Sequence, residues 1–202
     1  MAEYFELASC DHSAAITRLT ELIREGEIVV LPLEHGYVYA VDAFNQAAVN
    51  AMHSIKGDEP GTSAQVLIAD PRAVSGLAQG ITDTDKDLIE AFWPGLLTLY
   101  LMPQMGLMWD LGDGGTLKEF ALRIPDQPFV RELIRSTGPL AITSAGTRNV
   151  NEVTSMALTT FVDGGLLPLG AKSTIVHGRR VLRDGAIPLS EITRVAPNIT
   201  LA

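Results

Sequence analysis

The stretch "IVVLPLEHGYVYAVDA" (residues 28–43) carries the clearest fold signal in the chain. It predicts a buried strand that ends at Pro32 and a second apolar strand that begins at Tyr37. A tight hairpin usually carries Asn-Gly or Asp-Gly at its tip, whereas Glu34, His35 and Gly36 stand here. An acid and an imidazole between two apolar strands indicate a loop that is shaped for a ligand.

The composition is that of a chain that can bury a hydrophobic core. It has 202 residues, 47% hydrophobic and 19% charged, and we expect a single domain over residues 1–202. No apolar stretch reaches the roughly 18 residues of a membrane helix. The first ten residues contain Glu3 and Glu6 but no basic residue, which argues against a signal peptide. One cysteine, Cys10, excludes an internal disulfide and a cysteine-based zinc site. A cytoplasmic protein is expected.

The net charge of −9 is unevenly distributed. Residues 1–117 hold 5 basic against 17 acidic side chains (net −12), and residues 118–202 hold 10 against 7 (net +3). The acidic balance argues against tight non-specific binding of RNA or DNA. It leaves two interpretations open, namely an acidic surface alone, or C-terminal basic residues that gather around a small anionic ligand.

Helical and strand patterns alternate along the chain. Helices are predicted at residues 11–26, 45–55, 83–93, 127–138 and 189–196. Strands are predicted at residues 28–31, 37–43, 64–70, 96–102, 119–125 and 139–146, with a hairpin at 173–187. The alternation is not the regular βαβ rhythm of a doubly wound fold. We therefore predict an α/β fold in which helices flank a mixed, twisted sheet.

Several familiar motifs are absent. "GDGG" (residues 112–115) lacks the Lys-Ser/Thr of a phosphate loop and is predicted to be a surface turn. The four histidines have no metal-ligand spacing, so no metal ligands are predicted. Ser144 lies in "TSAGT", which is not the G-x-S-x-G of a hydrolase.

Polar residues recur at the predicted ends of strands and helices. They are three cations and several hydroxyls: Lys56, Arg123, Thr143, Ser144, Ser173, Thr174 and Arg183. Ligands of α/β proteins commonly bind where strand ends meet. Cations and hydroxyls together are what a polyphosphate requires, because its charge must be neutralised where water is excluded.

The order of these segments resembles the YrdC/YciO-like family of the threonylcarbamoyl-AMP synthase type, over about residues 21–192. The family's P-T-D-T-V-Y-G-L loop corresponds to "PLEHGYVYA", and its K-x-R to "KGD" at residues 56–58. Its W-P-G-P-L-T corresponds to "WPGLLT", its R-x-P to "RIP" and its S-A-N to "SAG". Its S-T-V corresponds to "STI", and its late R-x-G to "RDG" at residues 183–185.

The resemblance implies a sheet curved around a deep ligand site and a nucleotidyl transfer. ATP, L-threonine and bicarbonate would give threonylcarbamoyl-AMP and pyrophosphate, with Mg²⁺ as cofactor, in support of tRNA modification. Nucleotide contacts would come from Lys56, Ser144 and Arg183. Substrate contacts would come from His35, Tyr37, Arg123, Thr143 and Ser173, and Lys56 and Arg123 would be catalytic.

Four positions depart from the family pattern. Leu33 and His35 replace threonines, Gly146 replaces the asparagine of S-A-N, and Asp58 replaces the arginine of K-x-R. Because Glu59 and Pro60 follow Asp58, we expect an acidic loop that faces solvent. The alternative function is a non-catalytic or re-specialised YciO-like paralogue that binds a nucleotide or double-stranded RNA, and the net charge predicts weak RNA binding.

Overall fold

The computed structural model describes residues 2–153, 155 and 157–202. The described part contains the following strands: β1 (Glu3–Glu6), β2 (Val29–Pro32), β3 (Tyr37–Asp42), β4 (Gln65–Leu67), β5 (Ala78–Gln79), β6 (Leu97–Pro103), β7 (Phe120–Arg123), β8 (Leu140–Ser144), β9 (Thr160–Asp163), β10 (Thr174–His177), β11 (Arg180–Arg183) and β12 (Thr200–Leu201). Its α-helices are α1 (His12–Arg24), α2 (Gln46–Lys56), α3 (Val74–Leu77), α4 (Asp83–Phe92), α5 (Pro128–Thr137) and α6 (Leu189–Val195).

The strands form one mixed sheet, which confirms the predicted fold class. Eleven of them run in the order β1-β9-β2-β3-β8-β4-β7-β6-β10-β11-β12, and β5 pairs with β6. The β2–β3, β3–β8, β8–β4 and β7–β6 pairs are antiparallel, whereas β9–β2, β4–β7 and β6–β10 are parallel. The β10–β11 pair is the predicted antiparallel hairpin.

The surroundings of strand β2 explain why residues 28–31 are apolar at every position. Val29 and Leu31 belong to the core beneath α1 and α5, and Ile28 and Val30 to the core beneath α2, α4 and α6. The two faces of a strand alternate residue by residue. A strand covered by helices on both faces must therefore be apolar at successive positions, as in other fully covered sheets.

Strand β9 was missed by the sequence analysis. Its four residues follow the partly described loop after β8, and the chain reaches β9 just before Gly164 and Gly165. It pairs in parallel with both β1 and β2. A run of four residues carries little periodicity, so its role depends on neighbours that are distant in sequence.

The glycine-rich connection between β6 and β7 is more than a surface turn. Trp109 and Leu111 are buried in the core, and the Leu111 carbonyl accepts a hydrogen bond from the Ala64 N–H at 2.7 Å. "GDGG" does form a turn, in which Asp110 Oδ1 accepts from the Gly112 and Gly114 N–H groups at 3.0 and 3.1 Å. The connection therefore contributes side chains to the core.

Within the described residues, no helix is both long enough and apolar enough to cross a membrane.

Candidate functional site

A cavity of about 560 Å³ lies among strand ends and loops of the sheet. Its wall comes from the β2–β3 loop, the end of β8 and the loop that follows it, the chain before β10, and single residues of other strands. The structure brings seven of the eight predicted site residues to this wall: His35, Tyr37, Arg123, Thr143, Ser144, Ser173 and Arg183. Lys56 does not line the cavity and is exposed at the end of α2.

The cavity is electropositive in a protein that is acidic as a whole. Four cationic side chains line it, Arg123, Arg148, Lys172 and Arg183, against the single carboxylate of Glu34. The lining therefore carries a net charge of +3, whereas the whole chain carries −9. A concave site with low-dielectric walls strengthens such a local field. The arrangement favours a small anionic ligand.

A chain of hydrogen bonds at the cavity joins strands β4, β6 and β11 through Ser173, the residue before β10. Gln65 Nε2 donates to Thr98 Oγ1 at 2.8 Å, and Thr98 Oγ1 lies 2.9 Å from Ser173 Oγ. Arg183 closes the chain by donating from Nη2 to Ser173 Oγ at 2.9 Å and from Nε to the Ser173 carbonyl at 2.8 Å. Ser173 therefore holds Arg183 in place. Gln65 and Thr98 were missed by the sequence analysis, because single polar residues inside strands give no motif.

The surroundings of Arg183 disfavour the charged form of its guanidinium. Burial lowers its pKa, Tyr100 opposes that shift, and the positive charge of Arg123 adds to it. Burial disfavours the charged form, and a like charge nearby does the same. An anion bound between Arg123 and Arg183 would relieve both effects.

Arg123 is paired within the protein. Its side chain is only 6% exposed, its Nη2 forms an ion pair with Glu34 Oε1, and its Nε donates to the Gly95 carbonyl at 2.8 Å. Burial alone would raise the pKa of Glu34, but Arg123 and the Asp126 N–H, which donates at 2.7 Å, lower it below the usual value. Glu34 is thus ionised and balances much of the charge of Arg123.

His35 and Tyr37 differ in what they offer a ligand. His35 Nδ1 is buried and has no hydrogen-bond partner among the described residues, and its ring lies against Gly170, where a Cβ would overlap it. The Tyr37 hydroxyl donates to the Gly165 carbonyl at 2.7 Å and accepts from the Gly164 N–H at 3.0 Å. Burial raises the pKa of Tyr37 to about 12. Tyr37 therefore fastens the loop after β9, and its hydroxyl is occupied.

The end of β8 forms a small polar loop. Ser144 is exposed and its Oγ accepts from the Gly146 N–H at 3.1 Å. Gly146 has φ +78°, and a Cβ there would meet open space. Thr143, one residue earlier, turns away from Ser144 and donates from Oγ1 to Asp58 Oδ2 at 3.2 Å.

The prediction that Asp58 faces solvent was wrong. Its side chain is 17% exposed, and Oδ2 lies 2.8 Å from His53 Nδ1 in addition to its bond with Thr143. The reason is local. Gly57 ends α2 in the left-handed conformation at φ +71°, and the Asp58 N–H then donates back to the His53 carbonyl at 3.1 Å. The chain reversal places the carboxylate against the helix.

The described residues contain no group of three or more His, Cys, Asp or Glu side chains that could hold a metal ion. The one carboxylate on the cavity wall, Glu34, is paired with Arg123. Magnesium normally binds proteins through one or two carboxylates together with substrate phosphates. The described side chains of the cavity wall therefore offer Mg²⁺ no unpaired carboxylate.

The mixed sheet and its electropositive cavity define an α/β protein whose cavity favours a small anionic ligand. The family model Sua5_yciO_yrdC, described as "Telomere recombination", matches residues 21–185. The chain belongs to this family.

Named relatives match most of the chain. A Mycobacterium tuberculosis protein provisionally named threonylcarbamoyl-AMP synthase is 33% identical in an alignment 210 positions long, which covers 96% of this chain and 95% of that protein. The Bacillus subtilis threonylcarbamoyl-AMP synthase is 31% identical in an alignment 194 positions long, which covers 89% of this chain and 56% of that protein.

Solved structures share the fold. Sua5 of Pyrococcus abyssi, in a crystal structure with L-threonine, is 26% identical with a TM-score of 0.88. The match covers the whole of this chain, which spans only 62% of the Sua5 chain. Escherichia coli YciO aligns with a TM-score of 0.77 at 19% identity, over 92% of this chain and 96% of YciO, and shows the fold alone.

Proposed function

We propose that the protein is an L-threonylcarbamoyladenylate synthase, a nucleotidyltransferase that supports modification of tRNA adenosine. The observation that carries the proposal is the cavity, in which four cations face one carboxylate in a chain of net charge −9. Its support comes from the names of the relatives and from the L-threonine bound to Sua5 of P. abyssi.

The reaction forms one P–O bond and breaks another. The amine of L-threonine takes up the carbon of bicarbonate with loss of water, which gives an N-carboxylate. An oxygen of this carboxylate attacks the α-phosphorus of Mg-ATP, and pyrophosphate leaves with the electron pair of the broken P–O bond. Such transfers depend on orientation of the reactants and on stabilisation of phosphate charge rather than on covalent chemistry by the protein.

The side chains of the cavity divide between these two tasks. Arg183, Lys172 and Arg148 would neutralise the phosphates, and Ser144 would bind the nucleotide on the exposed loop after β8. Arg123 has its charge balanced by Glu34 and would orient the threonine end of the pocket, together with His35, Tyr37, Thr143 and Ser173. Lys56 would reach the phosphates only if its exposed side chain swings towards the cavity, so its role remains a prediction.

The decisive experiment is to incubate the purified protein with ATP, Mg²⁺, bicarbonate and L-threonine. We expect release of pyrophosphate and appearance of threonylcarbamoyl-AMP by mass spectrometry, both dependent on bicarbonate and on threonine. Pyrophosphate release that is unchanged when threonine is omitted would contradict the proposal. Nucleotide binding without turnover would favour the re-specialised paralogue.

Paired arginine variants show whether the cavity is responsible. Arg183→Met removes a cation that the cavity holds in position, whereas Arg179→Met removes an exposed arginine of the β10–β11 turn. Loss of one preorganised charge contact typically costs about 10²–10³ in rate. We expect kcat/KM to fall by about 100-fold in Arg183→Met and to remain unchanged in Arg179→Met. Equal effects of the two would place the chemistry elsewhere.

A further inference from the structure

A thin partition separates the large cavity from a second one. The second cavity has a volume of about 460 Å³ and lies between the end of α2 and the loop that follows it. Asp58 and His53 line this second cavity, whereas Thr143 lines the large one. The hydrogen bond from Thr143 Oγ1 to Asp58 Oδ2 therefore crosses the partition.

The contacts of His53 join it to Asp58 and to the loop before β7. Nδ1 lies 2.8 Å from the Asp58 carboxylate and Nε2 lies 2.9 Å from the Leu111 carbonyl. The Leu111 carbonyl can only accept, so Nε2 carries a proton, and a further proton lies in the bond between Nδ1 and Asp58 Oδ2. An imidazolium paired with an ionised Asp58 satisfies both bonds.

An ionised Asp58 also determines the direction of the Thr143 hydroxyl. A hydroxyl has one proton and two lone pairs. The proton of Thr143 is used in the bond to Asp58, so that the side of the oxygen facing the large cavity offers lone pairs. Thr143 can then accept a hydrogen bond from a ligand but cannot donate one to a phosphate oxygen.

We propose that Asp58 is a positioning residue: held by a protonated His53, it orients Thr143 as a hydrogen-bond acceptor for a hydroxyl or N–H group of the substrate. The inference rests on the proposed function for the identity of the substrate. It gives a role to the Asp58 carboxylate, at the position where the family motif carries arginine. Without such a role, this carboxylate would only repel the phosphates. The donor group lies either on L-threonine or on the nucleoside of ATP.

The "GDGG" turn supports this network from the far side. A Cβ on Gly112 would lie 2.5 Å from His53 Nε2, and Gly112 has φ +103°. Only glycine leaves room for the ring while the Leu111 carbonyl accepts its hydrogen bond. The turn therefore has a structural reason to begin with glycine that does not involve binding phosphate.

Nitrogen-15 NMR of the histidine rings tests the network without any substrate. In the intact protein at neutral pH we expect both ring nitrogens of His53 to be of the protonated type, assigned by comparison with His53→Gln. Asp58→Asn should convert His53 to a single neutral tautomer, and Asp87→Asn, on the exposed face of α4, should leave it unchanged. A neutral His53 in the unmodified protein would overturn the proposal.

A double-mutant cycle tests the action on the substrate. Calorimetry would measure binding of L-threonine alone and of Mg-ATP alone to the unmodified protein, Thr143→Val, Asp58→Ala and the double variant. We expect one of the two ligands to bind about three- to tenfold more weakly in each single variant, the loss of one hydrogen bond. We expect no further loss in the double variant, since coupled residues are not additive. The ligand that is weakened identifies the source of the donor group.

Two further variants separate positioning from folding. Thr143→Ser keeps the hydroxyl and should retain the affinity that Thr143→Val loses, and Thr200→Val on the exposed strand β12 is the matched control. Independent, additive effects of Asp58→Ala and Thr143→Val would overturn the proposal. If neither ligand binds the unmodified protein, the proposed function is contradicted, whereas the NMR experiment still decides the arrangement of His53 and Asp58.

Discussion

At the scale of single residues, the contacts of Arg123 change its interpretation. The resemblance implies that Arg123 contacts the substrate and is catalytic, and the structure buries it in an ion pair with Glu34. Burying two charges is costly, and the mutual attraction repays that cost only when further hydrogen bonds are made. Gly95 and Asp126 provide such bonds. Arg123 is therefore first a structural residue that links the β2–β3 loop to β7.

The Glu34–Arg123 pair predicts a pH-dependent stability. We expect Glu34→Gln to lower the free energy of unfolding by about 3 kcal/mol at neutral pH, because it leaves a buried guanidinium without a counter-charge. The pKa of Glu34 is lower in the folded protein than its usual 4.5. The stabilisation is therefore present above that usual value and is lost as the pH falls through the folded pKa.

Urea denaturation at a series of pH values would measure this effect. The difference in unfolding free energy between the unmodified protein and Glu34→Gln should shrink as the pH falls below about 4.5. Glu21→Gln, in an exposed pair with Arg18, serves as the control and should change stability by less than about 1 kcal/mol. A difference that stays constant with pH would show that the Glu34 charge does not stabilise the fold.

Gly170 provides a test of His35. An alanine Cβ at this position would overlap the His35 ring, so we expect Gly170→Ala to move the ring and to weaken binding of L-threonine. The ring is the far end of a side chain and can yield, which limits the loss of stability to about 1 kcal/mol. Gly76→Ala, where a Cβ meets nothing within 4 Å, is the matched control. Calorimetry would show whether displacement of the His35 ring lowers the affinity for L-threonine. Unchanged affinity would show that His35 does not contribute to threonine binding.

At the scale of elements, the loop after β8 carries a predicted departure from the S-A-N pattern. Gly146 stands where the resemblance implies asparagine, and it has a left-handed backbone at φ +78° with open space around a Cβ. Asparagine tolerates this region better than other residues that have a Cβ. The backbone is therefore already suited to the residue that the family pattern carries.

This conformation predicts that Gly146→Asn folds normally and binds ATP more tightly. The added amide can make one or two hydrogen bonds with the nucleotide, and each is worth about 1 kcal/mol, or roughly a fivefold gain in affinity. Gly146→Val, a β-branched residue that the left-handed region strongly disfavours, is expected to lose stability instead. Calorimetry with Mg-ATP together with thermal denaturation would distinguish the two. Weaker ATP binding by Gly146→Asn would show that the loop does not face the nucleotide.

The observed helix ends lie close to the predicted ones where capping residues are present. Asn45 caps α2 and Gly57 ends it, and Thr82 and Asp85 form a capping box at α4. Strand β9 carried no comparable signal. Its position next to β2 is decided by hydrogen bonds to strands more than a hundred residues away.

At the scale of the whole molecule, positive charge is concentrated in the cavity wall while the chain as a whole is negative. The positive side chains of the cavity are confined to a concave wall, whereas the chain as a whole is acidic. A duplex nucleic acid requires a continuous basic surface that can neutralise several phosphates at once. A small ligand needs only the local field of a few cations.

This distribution predicts weak RNA binding. At about 150 mM salt we expect a dissociation constant for duplex RNA no tighter than about 10⁻⁶ M. Fluorescence anisotropy with a labelled duplex would measure it, and Arg183→Met should leave it nearly unchanged because Arg183 lies in the cavity wall. A sub-micromolar affinity that Arg183→Met abolishes would instead favour the RNA-binding alternative.

The sequence by itself determined the alternation of helices and strands, the mixed sheet and seven of the residues on the cavity wall. Those features depend on local periodicity, on caps and on motif order, all of which are written along the chain. Only the tertiary structure decided which polar groups remain available. Arg123 is paired with Glu34, the Tyr37 hydroxyl is used by the β9 loop, and Asp58 turns inward to His53. A hydrogen-bond partner is chosen by proximity in space, and proximity between residues 58 and 143 cannot be read from either segment alone.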